Sequence, residues 1–553
     1  MQVFPNLARR IVVVLLFLLT LSARISQAQS PPPPPPGRVV LVLPFDNRSG
    51  QSNLAWIGDS FPDTLNERLT SAGFLAISRD DLQLALDHLG LPLDFRPTRA
   101  TTIRIAQTLD ADFVIVGSYN IQSAITSGPS ARPARITVQA QVLAVNQLTL
   151  SAPLQDSTEL SRLFDVQNAI AWKIARQIDP RFNVAQQTFL SASAGLKLAA
   201  FENYIRGTGT VTPQERVKRL QAALQNNAQG NPNYPAALLA LGKTYYASRD
   251  YELAATTLGK IAPTDRRALE SSFYLGLARF NTARYAEAET AFAFVAQRLP
   301  LPEVINNQAV ASSRQGHDAV PLFQRASAAD PNDPDYHYNL AVALLRRADR
   351  PGAAAEVDRA LKLRSTDAEA TQLKIYIAAG RNLAPTARTP STTPDFEPLE
   401  RLRRTYSESS FRQAAFQLDQ MRALRLATLP PAEQATQYNQ LGRDLLAEGL
   451  LPEAERQFQY ALAASPNSPD ARVGIAQVRE QSGSPDEARA EASAALKLKP
   501  NVAAYLVLAR LALRANQTAD SAAQVAKALH LEPTNPAALA MRQALQARGQ
   551  PLP

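Results

Sequence analysis

The chain has 553 residues, of which 58 are Lys or Arg, 49 Asp or Glu and 40 Pro, with no Cys and a formal net charge of +9. The absence of cysteine excludes a disulfide scaffold, a thiolate zinc site, a cysteine nucleophile and a lipid-modified cysteine, and four His argue against a histidine-built metal or triad site. What remains is a binding or structural protein of about three or four units, whose 45% apolar content is enough to bury cores.

In chain order, Arg9-Arg10 precede an apolar run from Ile11 to Leu19 that continues weakly to Ala23, and Ser26-Gln27-Ala28 puts small residues where a signal peptidase reads. This is the pattern of an export signal cleaved after Ala28, and the run falls short of the ~20 apolar residues that span a bilayer. Residues 1–28 are therefore predicted to be removed. The alternative is an uncleaved anchor, which Arg24 close behind the run favours. Cleavage removes Arg9, Arg10 and Arg24 and leaves +6. The mature chain is expected in the periplasm or outside the cell, membrane-tethered if the signal stays. Its cations, 48 Arg and 10 Lys in all, are dispersed among acids. That dispersal is a mixed solvated surface rather than a nucleic-acid patch. Residues 29–37 are a proline-rich linker, in which Pro31 to Pro36 form a stiff polyproline II spacer.

Residues 38–180 read as one α/β domain. Val39 to Leu43 is a continuous β-branched and apolar run, the pattern of a buried strand. Phe45 to Gly50 is turn chemistry, and Ile57, Phe61, Leu65 and Leu69 recur at helical steps. Further strands are predicted at Phe74–Ile77, Phe113–Gly117 and Ile136–Ala144, the last with one wet face. Helices are predicted from Asp80-Asp81 to Leu89, where the two acids form the cap, then over Thr101–Leu109 and Leu163–Ile178. Strands interleaved with helices make a sheet with helices packed on it.

The run Val42-Leu43-Pro44-Phe45, then Asn47-x-Ser49-Gly50, Trp56-x-Gly58 and Asp63-Thr64-Leu65 resembles the TolB amino-terminal-like domain family. Val116-Gly117-Ser118-Tyr119, Thr137-Val138-Gln139-Ala140 and Leu163-Phe164-x-x-Gln167 continue that pattern in the family's order. The resemblance implies a small mixed α/β domain of envelope proteins, joined to many partners and without catalytic residues. Asp46, Asn47 and Ser49 sit where a doubly wound sheet binds ligands, but no phosphate-cradling glycine motif accompanies them. Asn47 and Ser49 are expected to cap the turn instead.

After a connecting helix or linker at 181–203, small residues recur with a period of 34. Gly242 is followed by Gly276, Ala319 by Ala353, and Ala454 by Ala488. Around them stand Leu241-Gly242 with Ala254 and Leu258; Leu275-Gly276 with Ala288, Phe292 and Pro300; Ala309 with Phe323 and Pro331; and Leu340-Ala341 with Val357. Leu441-Gly442 with Phe458 and Pro466, Ile475-Ala476 with Ala492 and Pro500, and Leu508-Ala509 with Val525 and Pro533 complete the set. This resembles the tetratricopeptide repeat (TPR) in seven units, with degenerate units near 204–231 and 398–427. Small residues let the helices of each hairpin approach, and each hairpin leaves an apolar face for the next. The first array is read at 204–382 and the second at 399–547, with a flexible linker at 383–398 and a fraying tail at 548–553. The fold class is thus a small mixed α/β domain followed by an all-α solenoid in two arrays.

The first helix of each repeat lines the groove in such arrays. Tyr246, Phe273, Leu277, Phe280 and Tyr338 are candidate groove residues of the first array, for an apolar and aromatic peptide; packing between helices is the competing role for the same side chains. Asn439, Arg443, Gln477 and Arg510 make the second groove polar and basic, suited to an acidic ligand or to backbone carbonyls. His88, His317, His337 and His530 lie in separate units and form no ligand set. Neither metal nor cofactor is expected. The sequence reads as an exported, non-enzymatic envelope scaffold that binds protein partners. The alternatives are a polysaccharide-export or outer-membrane assembly accessory factor, and an enzyme with an unrecognised α/β site.

Overall fold

A computed structural model describes residues 38–92, 98–124, 132–191, 195–227, 234–381, 383, 397–405 and 408–552. The expected signal at 1–28, the proline stretch at 29–37 and residues 384–396 of the expected linker lie outside the described residues.

The amino-terminal part is a mixed sheet with helices on both faces. β1 (Val39–Val42) pairs in parallel with β3 (Leu75–Ala76) and with β4 (Phe113–Gln122), and short β2 (Asp46–Asn47) also joins β4 in parallel. β5 (Arg135–Ala144) runs antiparallel to β4 along its full length, and β6 (Thr149–Leu150) and β7 (Leu154–Glu159) add to β5. Alternation along β1 and β4 sends Val40, Val42, Ile115 and Tyr119 to one face, where α1 (Trp56–Ser71) and α4 (Leu163–Ile178) cover them. Leu41, Leu43 and Val114 go to the other face, under α2 (Arg79–His88) and α3 (Arg99–Thr108). Sequence reasoning missed β7 because Leu-Gln-Asp-Ser-Thr-Glu is polar, as an edge strand with a wet face is permitted to be. The cap of α2 is Ser78, whose hydroxyl accepts from the Asp81 N–H, and Asp80 and Asp81 fill the first turn. Asn47 and Ser49 hold their own turn: the Asn47 carboxamide oxygen accepts from the Ser49 N–H at 2.9 Å and its Oγ at 2.6 Å.

The core of this part does not stop at residue 180. Phe182, Val184 and Phe189 of the connecting segment are buried in it, as are Phe201 and Ile205 of α6 (Leu198–Thr208), with the short α5 (Gln186–Ser191) between them. The sheet region and the first helical hairpin therefore share one core.

Helical hairpins follow: α6 with α7 (Pro213–Asn227), α8 (Pro235–Ala247) with α9 (Tyr251–Leu258), α10 (Ala268–Asn281) with α11 (Tyr285–Arg298), α12 (Pro302–Arg314) with α13 (Val320–Ala329), and α14 (Pro334–Arg346) with α15 (Arg350–Leu363). α16 (Ala368–Ala378) packs on α15. Further on come α17 (Glu408–Ala427), the pairs α18 (Pro431–Ala447) with α19 (Leu451–Ala464), α20 (Pro469–Gln481) with α21 (Pro485–Leu498), α22 (Val502–Arg514) with α23 (Thr518–Leu531), and α24 (Pro536–Gln546). Proline opens α8, α12, α14, α18, α20 and α24, where a missing N–H costs nothing and the fixed φ suits the first turn. Within hairpins the small residues do what their spacing implies: a Cβ added at Gly442 or Gly474 would lie 2.6 or 2.3 Å from the ring of Phe458, which fills the gap between neighbouring hairpins.

The second array folds back onto the rest of the chain. Glu455 of α19 accepts from the Thr188 hydroxyl at 2.6 Å and from the Ala185 N–H at 2.9 Å, while Arg479 of α20 grips it with two bonds of 2.8 Å. Arg266, in the turn between α9 and α10, bonds Ser71 Oγ at 3.1 Å and Glu453 at 3.2 Å, joining three parts of the molecule at one point. Gly73 sits beside that point with φ +96°, and an added Cβ would fall 2.5 Å from the Arg456 guanidinium.

Candidate peptide-binding groove

The first helices of successive hairpins carry a row of amides and acids in the first array. Asn306, Asn307 and Asn339, on α12 and α14, are all buried. Asp333 and Asp367 cap α14 and α16, accepting from the N–H groups of Asp335 and Ala370, and so are fixed at the helix ends. Tyr336 and Tyr338 stand between these caps on α14.

This groove holds an extended stretch of the chain itself. Residues 399–404, which sequence spacing placed at the start of the second array, run without helix or strand along the first. Asn339 donates to the Arg401 carbonyl at 2.8 Å and accepts from the Arg401 N–H at 2.6 Å. Asn307 does the same for Arg403, donating at 2.7 Å and accepting at 2.8 Å. Asn306 adds a third amide at 3.0 Å from the Arg401 carbonyl. Two paired amide contacts, two residues apart, are the geometry that holds an extended backbone in register whatever its side chains.

Side chains are read as well. Glu400 is buried in a basic notch, its carboxylate accepting from Arg346 Nε at 3.0 Å and Ser313 Oγ at 2.5 Å, with Arg314 3.7 Å away. Arg401 forks onto Asp367 with two bonds of 2.7 Å, bonds Asp335 at 2.7 Å and Glu369 at 2.8 Å, and stacks on the Tyr338 ring 3.8 Å from its centroid. Arg403 pairs with Asp333 and Asp335 and lies over Tyr336. Leu402 lies against the seam between two hairpin cores. Hydrogen bonds from Arg401, opposed by burial, hold the Asp367 carboxyl below the ordinary carboxylate range. Burial pushes Asp335 up, but Arg401, Arg403 and Arg364 outweigh it and hold that carboxyl low too.

The sequence-predicted residues divide. Tyr338 is in this groove, under Arg401. Phe273 and Leu277 are 1% and 0% exposed and belong to the core cluster of these hairpins, on which Leu402 and the residues of α17 pack. Phe280 and Tyr246 are half-buried against the same core, where α17 lays Phe411, Ala414, Ala415 and Leu418. Asn439 is buried and bonds Ser468 Oγ at 3.2 Å. Arg443, Gln477 and Arg510 do come together, lining one open cleft of about 410 Å³ in the second array. Arg510 is not free there: it forks onto buried Glu480 at 2.8 and 2.6 Å, and Arg514 shares that carboxylate at 3.3 Å. Spacing missed Asn306, Asn307, Asn339, Asp335 and Asp367. The signal was present as asparagines and helix-capping acids on consecutive first helices, polar residues where packing alone would place apolar ones.

A family model described as the tetratricopeptide repeat matches residues 239–300, 308–368 and 439–503, so each array contains TPR repeats. Such repeats mediate protein–protein interactions. No curated protein matches the chain. Among solved structures, MamA 41-end from Desulfovibrio magneticus RS-1 is 20% identical over 34% of this chain and 100% of its own, with a TM-score of 0.27. YrrB, a TPR protein with an unusual peptide-binding site, is 12% identical over 38% of this chain and 98% of its own, at 0.27. The LpoB C-terminal domain from Escherichia coli is 26% identical over 22% of this chain and 83% of its own, at 0.18. No helix among the described residues is long and apolar enough to cross a membrane.

Proposed function

We propose that this chain is an exported, non-enzymatic scaffold of the cell envelope that recruits protein partners through its TPR arrays, with a TolB amino-terminal-like domain at its front. The observation that carries the recruiting role is the pair of two-way amide contacts from Asn307 and Asn339, which suit an extended backbone. Export is supported by Arg9-Arg10, the apolar run and Ser26-Gln27-Ala28. The TolB-like assignment is supported by the ordered motifs from Val42 to Gln167 and fits a small mixed sheet. A non-enzymatic role fits the Asp46–Ser49 turn, whose Asn47 and Ser49 are engaged in holding it.

Crosslinking in native envelopes, with mass spectrometry of the captured protein and of the mature amino terminus, tests this. The expected result is a mature chain starting near Gln29 in the periplasmic or extracellular fraction, joined to a protein partner through the arrays. A full-length chain in the cytosol, or crosslinks confined to the sheet domain, would overturn it.

A further inference from the structure

We infer that the groove of the first array selects an extended peptide bearing a carboxylate followed by arginines one and three places on, and that residues 400–403 of this chain fill it as a built-in competitor. This rests on the reading of the arrays as partner-recruiting modules and adds the chemistry of the ligand.

The groove's charges are segregated to match that pattern. Arg314, Arg346 and Ser313 form a basic notch at one end, and Asp333, Asp335, Asp367 and Glu369 form an acidic stretch beside it. Glu400 fills the notch, and Arg401 and Arg403 take the acids, each over a tyrosine ring. Such fork-to-carboxylate contacts fix geometry and so discriminate among sequences. The amides of Asn306, Asn307 and Asn339 supply the contacts that do not depend on sequence.

A strap that served only to tie two arrays together would do so most stably with apolar side chains. Buried ion pairs contribute little net stability and much selectivity, because a wrong side chain leaves a charge unpaired. Here only Leu402 of the four residues is apolar. The segment belongs to the same chain as the array it occupies, so its competition is intramolecular. A protein partner carrying the same pattern of charges must displace it. Partner binding at this groove is therefore linked to release of the chain leading into α17, whose Phe411, Ala414 and Leu418 pack on the same array.

The test uses full-length protein and one probe, a fluorescein-labelled peptide of residues 397–405, read by anisotropy. The triple variant E400A/R401A/R403A is expected to bind the probe at least tenfold tighter than the unmodified protein, because its own segment no longer competes. A probe carrying R401A is expected to lose at least tenfold on that variant, and binding is expected to weaken as salt rises. Equal probe binding by the triple variant and the unmodified protein, with circular dichroism unchanged, would overturn the inference. Should the triple variant unfold, hydrogen exchange on the unmodified protein decides: excess probe is expected to speed exchange of the Arg401 and Arg403 amides, and no change overturns the inference. A dimer of the unmodified protein held by exchange of the segment would assign the groove to a second copy and also overturn it. Envelope capture of a partner that is indifferent to D367N, which alters only the reading of the arginine side chain, would leave the scaffold reading standing and reject this one; probe exchange without any captured partner would do the reverse.

Discussion

At Gly276 an added Cβ would lie 2.7 Å from the ring of Phe292, which is itself fully buried. A larger side chain there has no space to enter without separating α10 from α11. Gly276→Leu is expected to destabilise the protein by ~1–3 kcal/mol or more, lowering the thermal midpoint of the full-length chain. An unchanged midpoint would mean that the 34-residue register has been misplaced. Arg443 and Arg510 show how two arginines of like spacing differ once neighbours are known. Arg443 is exposed and bonds only Gln440 of its own helix, at 3.0 Å, among the described residues. Arg443→Glu is expected to stay within about 0.5 kcal/mol of the parent. Arg510→Glu sets a carboxylate against buried Glu480 and is expected to cost roughly 1–3 kcal/mol. Urea midpoints separate the two, and equal midpoints would contradict the pairing. Spacing alone treats both as free groove charges, because Glu480 lies a whole repeat away from Arg510.

Among elements, the docked segment is held by carboxylates whose protonation can be set from outside. Asp367 and Asp335 both sit below their ordinary range while Arg401 is in place. A carboxyl lowered on docking contributes fully above its free value, near 3.8, and its contribution is lost as pH falls through the lower docked value. The segment is therefore expected to stay docked from neutral pH to about 4 and to loosen below that. Pepsin checks this: cuts within 397–405 are expected at about pH 2.5 and not at about pH 5, and equal cutting at both would contradict it. How legible these elements were follows from what each one buries. Val39–Val42 and Ile136–Ala144 carried their strand character in β-branched runs and alternation, and the seven hairpins carried theirs in buried small residues. Residues 399–404 carried no such sign. Leu-Glu-Arg-Leu-Arg-Arg has the composition of a helix, and it is extended here because Asn307, Asn339 and the acids of α14 and α16 take up its backbone and side chains. Groove acids and amides from helices one repeat apart cannot be paired with a distant segment by periodicity, which reports only on a helix's own faces.

For the whole molecule, what decides its shape is a set of charges far apart in sequence. Glu67 of α1 receives Arg267 at 3.0 Å, and although burial pushes its carboxyl up, Arg68, Arg267 and Arg266 hold it well below the usual range. Arg266 carries that contact on to Glu453 of the second array. Nearby, Glu455 is wholly buried and takes the guanidinium fork of Arg479 besides the Thr188 hydroxyl, the Ala185 N–H and the Gln459 amide. A flexible linker at 383–398 would let the two arrays move relative to each other, whereas these contacts tie the second array to the sheet domain. Arg479 is the cation that balances Glu455 at this junction. A buried ion pair adds little over an apolar replacement, but removing one member leaves the other charged and unpaired, at roughly 3–5 kcal/mol. Arg479→Leu is expected to cost that much, and to expand the particle in small-angle scattering as α19 and α20 part from α5. Adding Glu455→Gln removes the stranded charge and keeps a group able to accept from Thr188. The double variant is therefore expected to regain more than half of the lost stability. If Arg479→Leu matched the parent in both urea midpoint and scattering, the second array would be held by something other than this pair, namely the Arg266 junction and the bonds of Gln187 to the Ser482 carbonyl, Gln459 to the Asn183 carbonyl and Arg456 to the Ser71 carbonyl.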